Sequence, residues 1–312
     1  MAIDLRGRSF LTLKDYTPDE IRYLIDRAHM LKERKRKGQL GERFKGKTLA
    51  LLFEKRSTRT RCAFETAFAE EGGHPVFLST QDVHLGEKES VEDTARVLGR
   101  MFDAIQFRGF KQKTAEKLAE FAGIPVYNGL TDSFHPTQVL ADLMTIEEEF
   151  QSLKGKSVAY VGDGRNNVAN SLMLGCAKLG LNCTIVAPRA LHPAEELLSF
   201  CREIAKDQGA ELSVTDRIEG NLKGIDVIYT DVWVSLGEEA KEKERLALLR
   251  PYQVNDQLMR QTEKAETIFL HCLPAVKGNE VAYDVIEGSQ SRVWDEAENR
   301  KHTIKALMFE TL

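Results

Sequence analysis

Cysteine, tryptophan and long apolar runs are all scarce in this chain. Its 312 residues include five cysteines and two tryptophans. The cysteines are odd in number, widely spaced and without a Cys-x-x-Cys pair, which argues against a disulfide framework and against a zinc site. No segment approaches the ~20 apolar residues of a membrane span, and residues 1–10 lack the apolar core of a signal peptide. We therefore expect a cytoplasmic protein that uses neither a metal nor a membrane.

Charge of one sign is also lacking. The 44 Lys and Arg residues nearly balance the 48 Asp and Glu residues, so the formal net charge is −4. A generally basic surface for nucleic acid is thereby excluded, although a local basic site for a small anion is not. The length favours two domains of ordinary globular composition.

Short apolar runs alternate with helical patterns along the whole chain. The periodicity predicts strands at 48–53, 75–78, 104–107, 124–127, 157–161, 183–187, 212–215, 227–230 and 267–270. Helices between successive strands predict an α/β fold of two doubly wound domains, each a mostly parallel sheet with helices on both faces. The domains are expected at 1–150 and 151–297, followed by a terminal helix at 298–312. Ligands of such sheets bind beyond the carboxyl ends of the strands.

A basic segment follows the first predicted strand. Residues Phe53 to Arg61 read FEKRSTRTR and lead directly into a helix. A helix N-terminus offers unpaired N–H groups and partial positive charge, and the hydroxyl and guanidinium groups here add further donors. The segment therefore predicts a phosphate site without a metal. The alternative is an ordinary helix cap with solvated arginines.

Two glycine-containing turns invite a nucleotide-binding interpretation that the spacing does not support. Gly162 to Gly164 follows a strand, but the third glycine of a dinucleotide motif is replaced by Asn167. The Gly155–Ser157 segment has Phe150 where a P-loop has its first glycine. No nucleotide cofactor is expected. Asn167 and its neighbour Asn166 could instead hydrogen-bond a small polar ligand.

Further polar residues lie where predicted strands end. Arg108 and Asp231 each close a strand, while His135 precedes a helix beside a proline. Cys272 follows the last strand, and two interpretations of it stay open. It is either a nucleophile paired with a histidine or, with greater weight, a polar or packing contact.

Taken together, these segments resemble the ornithine carbamoyltransferase family over essentially the whole chain. The resemblance rests on five motifs in the family's order: Ser57-Thr58-Arg59-Thr60-Arg61, Phe107-Arg108-Gly109, His135-Pro136-Thr137-Gln138, Asp231 through Ser235 to Gly237, and His271-Cys272-Leu273-Pro274. It implies a first domain for carbamoyl phosphate, a second for the amino acid, and a terminal helix packed back on the first. One departure is Leu236, where the family usually has methionine.

The resemblance also implies residue roles. The carbamoyl phosphate site would comprise Ser57, Thr58, Arg59, Thr60, His84, Arg108, His135, Gln138, Cys272, Leu273 and Arg300. The ornithine site would comprise Asn167, Asp231, Ser235 and Leu236. Arg108, His135 and Cys272 would take part in catalysis, and His84 would serve a neighbouring subunit.

The implied reaction moves the carbamoyl group of carbamoyl phosphate to the δ-amino group of L-ornithine, without a cofactor. The implied assembly is a homotrimer, or a multiple of one, with shared active sites and a place in arginine biosynthesis. Rival interpretations are a carbamoyltransferase for putrescine or aspartate, a nicotinamide-dependent dehydrogenase, and a non-enzymatic amino-acid-binding protein.

Overall fold

The chain divides into two compact units, and two helices each contain residues of both units. The computed structural model describes residues 3–39, 41–79, 83, 89–234 and 239–312. Unit 1 comprises Met1–Met144 together with Glu298–Leu312, and unit 2 comprises Thr145–Ala297. The division therefore falls inside the helix Pro136–Phe150 and inside the last helix, Val293–Thr311.

Nine strands are assigned within the described residues. They are β1 Thr48–Phe53, β2 His74–Ser79, β3 Ala104–Arg108, β4 Val126–Leu130, β5 Ser157–Val161, β6 Asn182–Val186, β7 Leu212–Thr215, β8 Val227–Tyr229 and β9 Ile268–Leu270. Unit 1 has the order β2-β1-β3-β4 and unit 2 the order β7-β6-β5-β8-β9. Every neighbouring pair is parallel. The predicted fold class is thus confirmed.

The helices follow the strands in βα alternation. They are α1 Pro18–Arg36, α2 Thr58–Ala69, α3 Val91–Met101, α4 Gln112–Ala122, α5 Pro136–Phe150, α6 Asn167–Leu179, α7 Glu195–Gln208, α8 Glu242–Leu249, α9 Asp256–Arg260, α10 Tyr283–Ile286 and α11 Val293–Thr311. None of the helices in the described residues is long and apolar enough to cross a membrane.

Both faces of the unit 1 sheet are covered. Apolar residues of β1, β3, α3 and α4 form one buried cluster, because alternate strand residues point to the same face. On the opposite face, the ring of Phe64 from α2 lies 6.1 Å from that of Tyr127 in β4. The Tyr127 hydroxyl is 2.7 Å from the Thr311 hydroxyl of α11, so the C-terminal helix packs on this face.

Strand order creates a switch point in each sheet, where successive connections leave in opposite directions. In unit 1 this point lies between β1 and β3, and in unit 2 between β5 and β8. Loops diverge there, which leaves a crevice beyond the carboxyl ends of the two strands. The residues that end these four strands are therefore the best placed to bind ligands.

The differences from the sequence predictions include two shifted boundaries and one helix that was not predicted. The strand expected at 124–127 is Val126–Leu130, since Pro125 has no N–H to give to the sheet. Helix α11 begins at Val293 rather than at residue 298. Helix α1 was not predicted at all, although Thr17 and Glu20 form a capping box with Pro18 in the first turn.

Candidate active site

The N-terminus of α2 opens beyond the carboxyl end of β1. Ser57 is its N-cap residue, and its Oγ accepts a hydrogen bond of 3.2 Å from the backbone N–H of Thr60. Thr58 and Arg59 occupy the first turn, which contains no acidic residue. The partial positive charge of the helix end is therefore not offset locally by a carboxylate of the same turn.

Two guanidinium groups converge on one hydroxyl in this turn. Arg108, the last residue of β3, donates from Nη1 to Thr60 Oγ1 at 3.1 Å. Arg300 of α11 approaches the same oxygen from Nη2 at 3.4 Å. Thr60 and Arg300 are buried, with 1% and 3% of their surfaces exposed. Because like charges repel at this depth, the cluster is suited to an anion that lies between them.

His135 adjoins this cationic cluster. It is buried, and Arg300 Nη1 lies 3.5 Å from its Nε2. Burial, followed by the positive charges of Arg300, Arg108 and Arg59, lowers the pKa of His135 well below its ordinary value of 6.5. Its imidazole is therefore neutral near pH 7 and can offer one N–H as a donor.

Gln138 joins the cluster from the first turn of α5. Its Oε1 accepts a hydrogen bond from Arg300 Nη1 at 2.5 Å, and its Nε2 donates to Asp142 Oδ1 at 2.8 Å. Asp142 is fully buried one helical turn further on. Sequence reasoning found Gln138 but missed Asp142, whose only signal is that it is the one carboxylate in the apolar stretch 139–144 of α5.

Glu54 is a second carboxylate that sequence reasoning missed. Its backbone N–H donates to Arg108 O at 2.8 Å, and its Oε2 accepts from the N–H of Phe110 at 2.9 Å. A Cβ on Gly109 would lie 2.1 Å from Glu54 Oε2. The Glu54 carboxylate thus stabilises the turn that follows Arg108. Glycine is required at position 109 because a larger side chain would collide with that carboxylate.

A glycine also lies directly against Thr60. The register between β3 and β4 shifts after Phe107, and Gly129 is the extra residue on β4. A Cβ on Gly129 would approach Gln106 Nε2 to 2.4 Å and the Thr60 methyl to 2.9 Å. The absence of a side chain therefore allows Thr60 to pack against the sheet.

In unit 2, a carboxylate lies at the corresponding switch point. Asp231 follows β8, and its Oδ2 accepts from Asn166 Nδ2 at 2.8 Å. Its Oδ1 accepts from the Val232 N–H at 2.8 Å and from Cys272 Sγ at 3.1 Å. The structure therefore brings together two residues, Asp231 and Cys272, that sequence analysis assigned from separate motifs.

The asparagine that contacts Asp231 is Asn166, and the next residue is Asn167, which the family resemblance assigns to the ornithine site. Asn166 is the N-cap of α6, and its Oδ1 accepts from the N–H of Val168 at 2.6 Å. The side-chain oxygen of Asn166 therefore bonds the start of α6, and its side-chain nitrogen bonds the Asp231 carboxylate. Asn167 is the first residue of α6 and is half-buried.

The turn after β9 is shaped by a buried histidine. His271 Nδ1 accepts from the N–H of Leu273 at 2.9 Å, and its Nε2 lies 3.2 Å from Glu280 Oε1. Since the backbone N–H can only donate, Nδ1 is unprotonated and the Nε2–H faces the carboxylate. Leu273 has φ +57°, and its peptide bond to Pro274 is cis. The hydrogen bond from the Leu273 N–H to His271 Nδ1 closes the turn that contains Cys272.

Asp231, His271 and Cys272 each offer one possible metal ligand atom, all within 4.8 Å of one another. Cysteine spacing alone did not predict this grouping. Each of the three residues already takes part in the hydrogen bonds given above, so a metal would have to displace at least one of them.

An ion pair lies next to the segment that follows Asp231 in the predicted ornithine-binding motif, residues 231–237. Arg245 of α8 donates from Nε to Trp233 O and from Nη2 to Asp163 Oδ2, both at 2.5 Å. All three residues are buried. Sequence reasoning missed this pair, because its members are 82 positions apart. The predicted site residues His84, Ser235 and Leu236 lie outside the described residues.

Comparisons with known proteins agree on one family. A family model described as "Aspartate/ornithine carbamoyltransferase, carbamoyl-P binding domain" matches residues 8–148, and one described as "Aspartate/ornithine carbamoyltransferase, Asp/Orn binding domain" matches residues 154–311. The chain is 65% identical to the ornithine carbamoyltransferases of Caldanaerobacter subterraneus subsp. tengcongensis and Thermotoga maritima, with all of each chain covered.

A solved structure agrees with these sequence matches. The ornithine carbamoyltransferase of Pyrococcus furiosus superposes with a TM-score of 0.96 at 44% identity, covering 99% of this chain and 98% of that one.

Proposed function

Because the chain belongs to the aspartate/ornithine carbamoyltransferase family, we propose that it transfers the carbamoyl group of carbamoyl phosphate to L-ornithine. The bond from the δ-nitrogen to the carbamoyl carbon forms, the bond from that carbon to the phosphate oxygen breaks, and the amine loses a proton. The products are L-citrulline and phosphate. The observation that carries the proposal is the convergence of Arg108 and Arg300 on Thr60 at the start of α2.

Unit 1 binds carbamoyl phosphate in this proposal. The phosphate accepts hydrogen bonds from the first turn of α2, with Ser57, Thr58, Arg59 and Thr60 around it. Arg108 bridges the phosphate and the carbonyl oxygen. Support comes from the position of Arg108 at the end of β3, beside the β1 end that carries α2.

The carbonyl oxygen gains negative charge as the amine attacks. Arg108, Thr60 and the neutral imidazole of His135 act as donors to it, and removal of one such donor typically costs ~2.7–4 kcal/mol of transition-state stabilisation. Gln138 orients the carbamoyl amide with Arg300 and the backbone of Leu273. The depressed pKa of His135 supports a donor role for this residue, because a neutral imidazole cannot lose its N–H readily.

Unit 2 binds ornithine in this proposal. Asp231 and the adjacent asparagines bind the α-amino group, while Ser235 and the backbone of Leu236 bind the carboxylate. Cys272 contacts the δ-nitrogen, and its hydrogen bond to Asp231 supports this grouping. The δ-amine, with an ordinary pKa of ~10.4, becomes nucleophilic when it loses its proton in surroundings that exclude water.

We also propose a homotrimer, or a multiple of one, in which His84 serves the neighbouring subunit. Sedimentation equilibrium of the 35.2 kDa chain tests this directly. A monomer at micromolar concentration would remove the shared-site proposal. A biosynthetic role in the cytoplasm completes the proposal, with arginine breakdown as the alternative, and rescue of an arginine-requiring strain tests it.

The decisive experiment compares three amine substrates with carbamoyl phosphate as donor. We expect carbamoylation of L-ornithine, with putrescine and L-aspartate at background levels. Turnover of putrescine at the ornithine rate would refute the choice of acceptor. Turnover of none of them would refute the transferase assignment.

A further inference from the structure

Asp142 is a buried carboxylate that no part of the proposed mechanism uses. It lies on α5, one helical turn after Gln138, and none of its surface is exposed. Its Oδ1 accepts a hydrogen bond from Gln138 Nε2 at 2.8 Å. The other end of the same amide, Gln138 Oε1, accepts from Arg300 Nη1 at 2.5 Å. Gln138 therefore spans a carboxylate and a guanidinium group.

These two neighbours fix which way round the amide lies. A carboxylate only accepts hydrogen bonds and a guanidinium group only donates them. Reversal of the Gln138 amide would place its N–H groups against Arg300 and its oxygen against Asp142. Both contacts would then be repulsive, so Asp142 and Arg300 each favour the same orientation of the Gln138 amide.

The selected orientation determines which atom faces the anion site. Arg300, which holds Gln138 Oε1, also approaches Thr60 Oγ1 at 3.4 Å. The acceptor end of the amide thus lies on the Thr60 side, and the donor end lies on the Asp142 side. A carbonyl oxygen can accept two hydrogen bonds, so Oε1 can accept one from a substrate nitrogen besides that from Arg300.

We propose that Asp142 is a positioning residue that makes the site selective for an acyl phosphate with an N–H donor. By holding the amide of Gln138, it presents an acceptor to the NH₂ of carbamoyl phosphate. Acetyl phosphate has almost the same shape, but its methyl group leaves that acceptor without a hydrogen bond. The inference rests on the proposed function and adds to it the basis of donor choice.

Two stable analogues separate this effect from phosphate binding. Phosphonoacetamide and acetonylphosphonate differ only in NH₂ against CH₃, so the ratio of their dissociation constants isolates the contact to Gln138. For the wild-type protein we expect the amide to bind about 10- to 100-fold more tightly, as one buried hydrogen bond predicts. Calorimetric titration measures both constants, with inorganic phosphate as a third probe.

Two variants of similar size test Asp142 itself. Asp142→Leu removes the acceptor and should lower the ratio about tenfold from its wild-type value, since the Gln138 NH₂ then loses the carboxylate that orients it. Asp142→Asn retains an oxygen acceptor and should keep the ratio within about threefold of wild type. Asp26→Leu, which replaces an exposed carboxylate of α1, is the matched control. Asp142→Ser replaces Asp142→Leu if that variant does not fold.

A double variant tests whether Asp142 acts through Gln138. Gln138→Met should bring the ratio close to one, and Asp142→Leu added to it should change nothing further. Three results would overturn the inference. The wild-type protein could bind both analogues equally well, Asp142→Leu could keep the same ratio of dissociation constants as the wild type, or Asp142→Leu could weaken the binding of both analogues equally. If the wild type carbamoylates ornithine, those results leave the proposed function intact. Failure to bind either phosphonate or to turn over ornithine would instead overturn the proposed function.

Discussion

The switch points of the two units share one topology but have opposite electrostatic character. In unit 1, Arg108 ends β3 and meets Thr60 at the start of a helix, with Arg300 beside it. In unit 2, Asp231 follows β8 and accepts hydrogen bonds from Asn166 and Cys272. The fold explains why both groups lie beyond strand ends, whereas the side chains alone make one switch point cationic and the other anionic.

The difference extends to the residues that support each site. In unit 1, carboxylates lie behind the arginine cluster, with Glu54 on the turn after Arg108 and Asp142 on Gln138. In unit 2, the supporting cation Arg245 is held by Asp163. Each unit therefore has a buried charged side chain next to a residue of the candidate site or of its flanking segment, Asp142 beside Gln138 and Arg245 beside Trp233.

The largest effect is expected when the cationic site loses its central donor. Arg108→Ala should lower turnover by about 10²–10³-fold, because the developing oxyanion and the leaving phosphate lose one guanidinium group. Steady-state citrulline formation measures it, and thermal unfolding should change little. Arg96→Ala, on the exposed face of α3, is the control. Near-normal citrulline production would count against the role of Arg108.

The anionic site is tested by Asp231→Ala. We expect the KM for ornithine to rise by about 10- to 100-fold, since charged hydrogen bonds contribute about 1.5–3 kcal/mol. The KM for carbamoyl phosphate should stay within about twofold. Asp216→Ala removes a carboxylate that pairs with Arg189 at the surface and serves as the control. An unchanged ornithine KM would remove Asp231 from the site.

The ion pair behind the second site should show coupling. Arg245→Met leaves Asp163 with only the more distant Arg165, whose Nε lies 3.9 Å away, and should lower the free energy of unfolding by roughly 2 kcal/mol. Asp163→Asn combined with Arg245→Met should cost less than the sum of the single changes, because the buried charge is then absent. Urea unfolding of the four proteins measures the coupling. Strict additivity would mean that the two side chains act independently.

The smallest effect concerns pH. The pKa of His135 in the folded protein is well below 6.5, so below pH 6.5 the unfolded chain binds a proton that the folded protein does not. Stability from this residue is therefore present above pH 6.5 and is lost as the pH falls towards the folded pKa. On acidification from pH 7 to 5, the free energy of unfolding should fall by about 1–2 kcal/mol less in His135→Gln than in the wild type.

The pH measurement has an internal comparison. His302 has a folded pKa of about 4, lowered mainly by burial, so His302→Gln should weaken the acid dependence in the same direction. Equal acid sensitivity of the His135 variant and the wild type would contradict the assignment of a neutral imidazole.

The predictions that succeeded were those in which adjacent residues carry the signal. Strand β1 and helix α2 follow from one apolar run and the polar segment after it, and Ser57 caps the helix as its position suggests. The failures have physical reasons too. The strand near Pro125 shifted because the sheet requires N–H groups, and the contact between Asn166 and Asp231 was not predicted because the two residues are 65 positions apart.

The amino-acid sequence by itself determined the α/β alternation, the basic helix start after β1 and the polar residue at each strand end. These depend on local periodicity and on neighbours within a few positions. Only the tertiary structure decided that Arg108 and Arg300 meet at Thr60, that Cys272 bonds Asp231, and that Asp142 holds Gln138. Strand order and helix packing bring most of these groups together across long stretches of chain, and burial then makes their charges and hydrogen bonds strong enough to matter.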